Sequence, residues 1–68
     1  MSTAELVRTW RAAQGLSQTE LAARAGTGQA VISRIESGKL TPTLAVLERL
    51  AAALDCTVVL EFAPRSQR

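Results

Sequence analysis

At 68 residues the chain has room for one domain, and a domain that short buries only roughly 60% of the surface its unfolded chain exposes, which leaves it marginal alone. Its single cysteine, Cys56, excludes an intrachain disulfide, and with no histidine beside it no ordinary zinc site can be assembled. The net charge is only +2 and there is no polybasic tail, so a nucleic-acid partner requires the arginines, seven of the eight basic residues, to gather on one face.

In chain order, Ser2 and Glu5 have capping-box spacing and open a first helix that carries Leu6, Val7 and Trp10 and stops at Gly15. Trp10 falls on the apolar side and is expected in the core. Ser17 with Glu20 repeats the capping box and opens a short second helix, with Leu21, Ala22 and Ala25 inward and Gly26 as its stop. Thr27 and Gly28 are N-cap candidates for a third helix from about Gln29 to Ser37, whose apolar positions are Val31, Ile32 and Ile35; Gly38 ends it. Thr41-Pro42-Thr43 reads as a turn and helix start. The fourth helix then sets Leu44, Leu47, Leu50, Ala51 and Leu54 on one core-facing stripe.

After Asp55 the pattern changes. Thr57-Val58-Val59-Leu60-Glu61-Phe62 is β-branched and aromatic and stops before Pro64, the signature of a strand. A lone strand leaves its backbone unsatisfied, so the expectation is pairing with the same strand of a second copy, with Val58, Val59, Leu60 and Phe62 at the dimer interface. The last four residues, with Arg65 and Arg68, read as a frayed basic end.

Several classes drop out along the way. No run approaches the ~20 apolar residues of a membrane span, and no secretory h-region is visible at the start, so the expected location is cytoplasmic. Catalysis is not expected: there is no His or Tyr, and Cys56 lies in an apolar run without a base nearby in sequence. Cys56 reads as a small buried hydrophobe, and Arg24 and Arg49 as solvated faces. No cofactor is expected.

The stretch from Leu16 to Gly38, LSQTELAARAGTGQAVISRIESG, sets two helices of about two turns around a tight glycine turn. Neither is stable by itself, and together they present Gln29, Ala30, Ser33 and Arg34 outward. LSQTELA, the turn glycine Gly26, ISRIESGK and the TPTLAVLERLAAAL helix resemble the lambda-repressor/Cro-like (XRE) helix-turn-helix family over roughly Val7 to Leu54. The resemblance implies a four-helix domain with the helix-turn-helix at about 17–37, so that with the strand read at about 57–62 the expectation is one mostly α domain over residues 1–68. It implies a repressor that binds a palindromic operator in double-stranded DNA as a homodimer. Gln29, Ala30, Ser33 and Arg34 would then meet base edges, and Gln18, Thr27, Gly28 and Lys39 the phosphates. Arg11 and Glu36 occupy positions that form an interhelix ion pair in some members.

The chain departs from the family at Thr27, where an aliphatic residue is common, and at Gly28, where a serine is more usual. A strand in place of the fifth helix is a further departure, and it resembles the HipB- and HigA-like antitoxins, some of which dimerise through such a strand. Two alternatives therefore stand beside the repressor. One is an antitoxin that binds a protein toxin as well as its operator, with Leu40 and Val46 as further contact candidates. The other is a protein-interaction module without specific DNA binding.

Overall fold

The computed structural model describes residues 1–66, so the basic end read for Arg68 lies outside the described residues. Four helices follow one another: α1 (Thr3–Ala13), α2 (Gln18–Ala25), α3 (Gln29–Glu36) and α4 (Leu44–Ala53). The first two begin in full capping boxes. Ser2 Oγ accepts from the Glu5 amide at 3.1 Å while Glu5 Oε1 accepts from the Ser2 amide at 3.1 Å. Ser17 and Glu20 repeat this at 3.0 and 2.8 Å. Thr43 caps α4 through its hydroxyl, which accepts from the Val46 amide at 3.2 Å. Gly28 caps α3 with no side-chain bond.

All four helices end the same way. After each one, a residue with positive φ turns the chain, and the next amide reaches back five residues to a helix carbonyl, the Schellman closure. Gly15, Gly26 and Gly38 take this place for α1 to α3, and Asp55 takes it for α4 at φ 60°. The returning bonds run from Leu16 to Arg11, Thr27 to Ala22, Lys39 to Arg34 and Cys56 to Ala51, at 2.7–3.1 Å.

The helices meet on Leu21, Ile32, Ile35 and Leu50, all essentially without exposure, with Val7, Leu16, Ala22, Ala25 and Leu54 around them. Helix α2 packs on α3 and α4, and α1 packs on α3. Ala22 and Ala25 are the small buried residues of α2, where small side chains allow neighbouring helices to approach closely. No helix among the described residues is long and apolar enough to cross a membrane.

Three expectations need correction. Trp10 is not core: it is 47% exposed, and Leu6 one turn before it is 43% exposed, because α1 buries only Val7 and turns its Leu6–Trp10 edge to an unfilled groove. Leu44, at the open end of the α4 stripe, is also exposed, while Leu50 and Leu54 are buried. Beyond Leu54 the chain forms neither helix nor strand up to Ser66. Within one chain the 57–62 segment has no strand to pair with, so its backbone has no ladder to join.

Candidate nucleic-acid interface

Helix α3 is two-sided. Ile32, Ile35 and Glu36 face inward at i, i+3, i+4 spacing, and Gln29, Ala30 and Arg34 are exposed on the opposite side with Ser33 half-buried among them. The expected base-reading residues thus share one face of one helix.

Glu36 is 5% exposed, the one buried charged residue among the described residues. Arg11 clamps it bidentately, Nε to Oε2 at 2.6 Å and Nη2 to Oε1 at 2.9 Å, and spends Nη1 on the Leu16 carbonyl at 2.7 Å. Arg8 Nη1 donates to the Glu36 carbonyl at 2.9 Å, a cation at the C-terminal end of α3. Burial pushes the Glu36 carboxyl up. The hydrogen bonds from Arg11 and Gln18 and the charges of Arg11 and Arg8 outweigh burial and hold it below the ordinary value. Its hydrogen bond to Glu36 pushes the Arg11 guanidinium up.

This carboxylate also sets the direction of two amides. Gln18 Nε2 donates to Glu36 Oε1 at 3.2 Å, and Gln29 Nε2 donates to Gln18 Oε1 at 2.8 Å. A carboxylate only accepts, so Gln18 must turn its NH2 inward, its oxygen outward, and Gln29 must answer with an N–H. Gln29 keeps its Oε1 and its second N–H outside this network. That donor–acceptor pair is the complement of adenine N6–H and N7 in the major groove.

The expected phosphate residues sit at the start of α2 and on either side of α3. Gln18 is half-buried at the start of α2, whose first-turn amides have no intrahelical partner. Thr27 is half-buried and Gly28 exposed in the turn entering α3. Lys39 is exposed just past the end of α3, its amide turned back onto the Arg34 carbonyl at 2.9 Å. The arrangement brings Gln18 into the Gln29 network and leaves Lys39 apart from it. Of the dimer candidates, Val58 is half-buried against the body, while Val59, Leu60 and Phe62 are exposed.

Arg49, expected as a solvated face, is exposed and also clamps the turn. Its Nε and Nη2 donate to the Ala25 carbonyl at 3.1 and 2.8 Å, and Nη2 also donates to the Gly26 carbonyl at 2.7 Å. It thereby caps the C-terminus of α2 from α4 and holds the turn that aims α3. A Cβ on Gly26 would stand 3.0 Å from that Nη2, a second reason beside φ 70° for glycine there. Arg49→Ala is expected to lower stability by about 1–2 kcal/mol in a urea melt, and Arg49→Lys to recover little, since an ammonium lacks the planar fork. No local pattern in the sequence marks this residue, because its partners lie more than twenty positions away.

A family model described as Helix-turn-helix (HTH_3) matches residues 7–60. Over 54 residues the chain is 48% identical to the uncharacterized HTH-type transcriptional regulator y4dL of Sinorhizobium fredii, covering 79% of this chain and 28% of that protein. The chain therefore spans little more than a quarter of that relative's length. It is 41% identical over 49 residues to an uncharacterized HTH-type transcriptional regulator of Methanothermobacter thermautotrophicus, covering 72% of this chain and 71% of that one. Among solved structures, the restriction-modification controller protein C.AhdI of Aeromonas hydrophila matches with a TM-score of 0.77 at 33% identity, over 79% of this chain and 78% of that chain. An HTH_3 family transcriptional regulator of Vibrio cholerae matches with a TM-score of 0.78 at 31% identity, over 81% of this chain and 31% of that chain.

Proposed function

We propose, from the premise that this chain belongs to the HTH_3 helix-turn-helix family, that it is a repressor reading a palindromic DNA operator as a homodimer. Its named relatives are HTH-type transcriptional regulators, and in this reading the chain acts by binding DNA and not by catalysis. The observation that carries the proposal is the exposed face of α3, with the Gln29 amide aimed outward by the buried Glu36. In this reading Gln29, Ala30, Ser33 and Arg34 contact bases. Gln18, Thr27, Gly28 and Lys39 contact phosphates, and the Arg11–Glu36 pair holds α1 and α3 in register beneath them. Ala30 offers its methyl to a thymine methyl. Two copies would set their α3 helices about 34 Å apart, one turn of DNA.

The dimer contact in this reading is the 57–62 segment, which pairs antiparallel with its own copy about a two-fold axis. A solitary extended segment rich in valine, leucine and phenylalanine supports it, since self-pairing satisfies its backbone. A likeness to a controller protein over most of that protein's length favours a regulator acting through DNA over an antitoxin.

Titrating the purified protein against its own upstream DNA and a scrambled control at about 0.15 M salt, with footprinting, tests the proposal. The expected result is protection with two-fold symmetry and at least ~1,000-fold preference for the operator. Equal affinity for both DNAs sinks it and moves the weight to a protein partner. In the same assay Lys39→Ala should weaken operator and control alike and reduce the salt slope by about one.

A further inference from the structure

Two apolar surfaces of this chain lack an occupant. A groove of about 940 Å³ opens between α1 and α4, lined among others by Leu6, Trp10, Leu47 and Ala51, with the start of the chain's own arm, through Leu60, as a further wall. Nearby, the segment after Leu54 carries Val59, Leu60 and Phe62 into solvent, Phe62 without any cover at all. Five of the eight large hydrophobic residues exposed among the described residues, Leu6, Trp10, Val59, Leu60 and Phe62, belong to this groove and this arm.

We infer that the groove is the receptor for the arm of a second copy, with the partner's Phe62 seated beside Trp10. The inference rests on the dimeric reading above and adds a side-chain contact to the backbone pairing proposed there.

The arm walls its own groove as far as Leu60, and shape argues that it does not close over it beyond that point. The molecule measures 47 × 24 × 21 Å, and its radius of gyration is 13.1 Å where a compact chain of this length has about 11 Å. Six extended residues span roughly 20 Å, close to the excess of the long dimension over the other two. The arm leaves the body at Cys56 and Val58, both half-buried, and stands away from it by Phe62.

Symmetry argues for a copy of the same chain as the occupant. The groove and the residues that fill it are on one sequence, so a two-fold axis lets each copy give an arm and receive one. Val58, Leu60 and Phe62 share one face of an extended segment, so an arm anchored at Val58 presents Leu60 and Phe62 on the same side further out. At their present exposures the five side chains offer on the order of 600 Å² from each copy, about 1,200 Å² in all, the lower edge of a specific interface. The groove lining has Asp55 as its only charged residue, which suits an aromatic ring and not an ionic partner.

Trp10 is the only tryptophan, so its emission reads the contact directly. The test is sedimentation equilibrium of the full chain with tryptophan emission followed over the same concentrations, for wild type and Phe62→Ala. Phe62 is wholly exposed in the single chain, so its loss leaves the fold intact. The expected result is a wild-type dimer whose Trp10 emission moves to the blue on association. Phe62→Ala should dissociate at least ~10-fold more readily and lose the shift. A dimer equally tight in Phe62→Ala, with unchanged emission, overturns the inference while the dimeric repressor stands. A monomeric wild type overturns both. A blue emission that persists on dilution and disappears in Phe62→Ala with no change of mass means that the arm folds onto its own groove, and overturns the exchange. Mixing Phe62→Ala with Trp10→Ala offers one intact junction per heterodimer, and association tighter than that of either variant alone is expected; no gain on mixing is a further refutation.

Discussion

Glu36→Ala is expected to remove about 3–5 kcal/mol of stability, most of what a domain of this size possesses. The carboxylate is 5% exposed and accepts from Arg11 and Gln18. Taking it away leaves the Arg11 guanidinium, itself only 17% exposed, without its counter-charge. Breaking a buried pair from one side costs more than the pair is worth, because the survivor keeps its desolvation cost. A chain of 68 residues holds roughly 3–10 kcal/mol in total. Thermal melts by circular dichroism should therefore show a Tm lower by well over 10 °C, or no cooperative transition. A loss under 1 kcal/mol would mean that the pair is a surface contact in solution.

The same residue sets an acid dependence. Glu36 titrates below its unfolded value when folded, so between the two values the unfolded chain binds more protons and stability rises with pH. Its contribution is complete above the unfolded carboxylate value, about 4.3, and is lost as pH falls through the folded value. Glu5 and Glu20, held down by the serine caps they share, act in the same direction. Glu36→Gln should flatten the acid limb of stability against pH, and an unchanged limb would assign it to the other carboxylates.

Arg34→Ala is expected to weaken operator binding by about 1–3 kcal/mol, roughly 5- to 200-fold, with the melt unchanged within about 0.5 kcal/mol. Its side chain is exposed with no hydrogen-bond partner among the described residues. The bonds at this position go to its backbone carbonyl, which accepts from the Lys39 and Leu40 amides. Substitution therefore removes a reader and leaves the helix. Competition with operators altered one base pair at a time shows how it reads. Relaxed preference at one position per half-site identifies a guanine contact, while a uniform loss identifies a phosphate clamp. Undiminished affinity would place α3 outside the groove.

Most of the helical frame is legible in the sequence because its signals are local. Ser2–Glu5 and Ser17–Glu20 form their bonds within three residues, and Gly15, Gly26 and Gly38 mark stops by a property of their own backbone. What was missed depends on neighbours distant in sequence. Arg49 looks like any solvent-facing helix residue until α4 lies across the Ala25 carbonyl. Trp10 has the spacing of a core residue, and periodicity cannot say whether anything lies opposite. The strand expected at 57–62 is the same case: composition favours an extended segment, while a ladder requires a second one. At the interface, α3's outward residues follow from helical period alone. The amide order from Glu36 through Gln18 to Gln29 needed three elements brought together, and no spacing rule contains it.

The division of α3 into two faces also bears on how such a protein changes over generations. Ala30, Ser33 and Arg34 make no side-chain hydrogen bond within the described chain, so, if the proposed operator reading holds, their replacement would alter the operator recognised with little burden on folding. Gln29 differs, since its amide is the last link in a network anchored at the core. On the proposed reading, a lineage that acquires a new operator would be free to vary at Ala30, Ser33 and Arg34, while the contact made by Gln29 would stay tied to the fold itself.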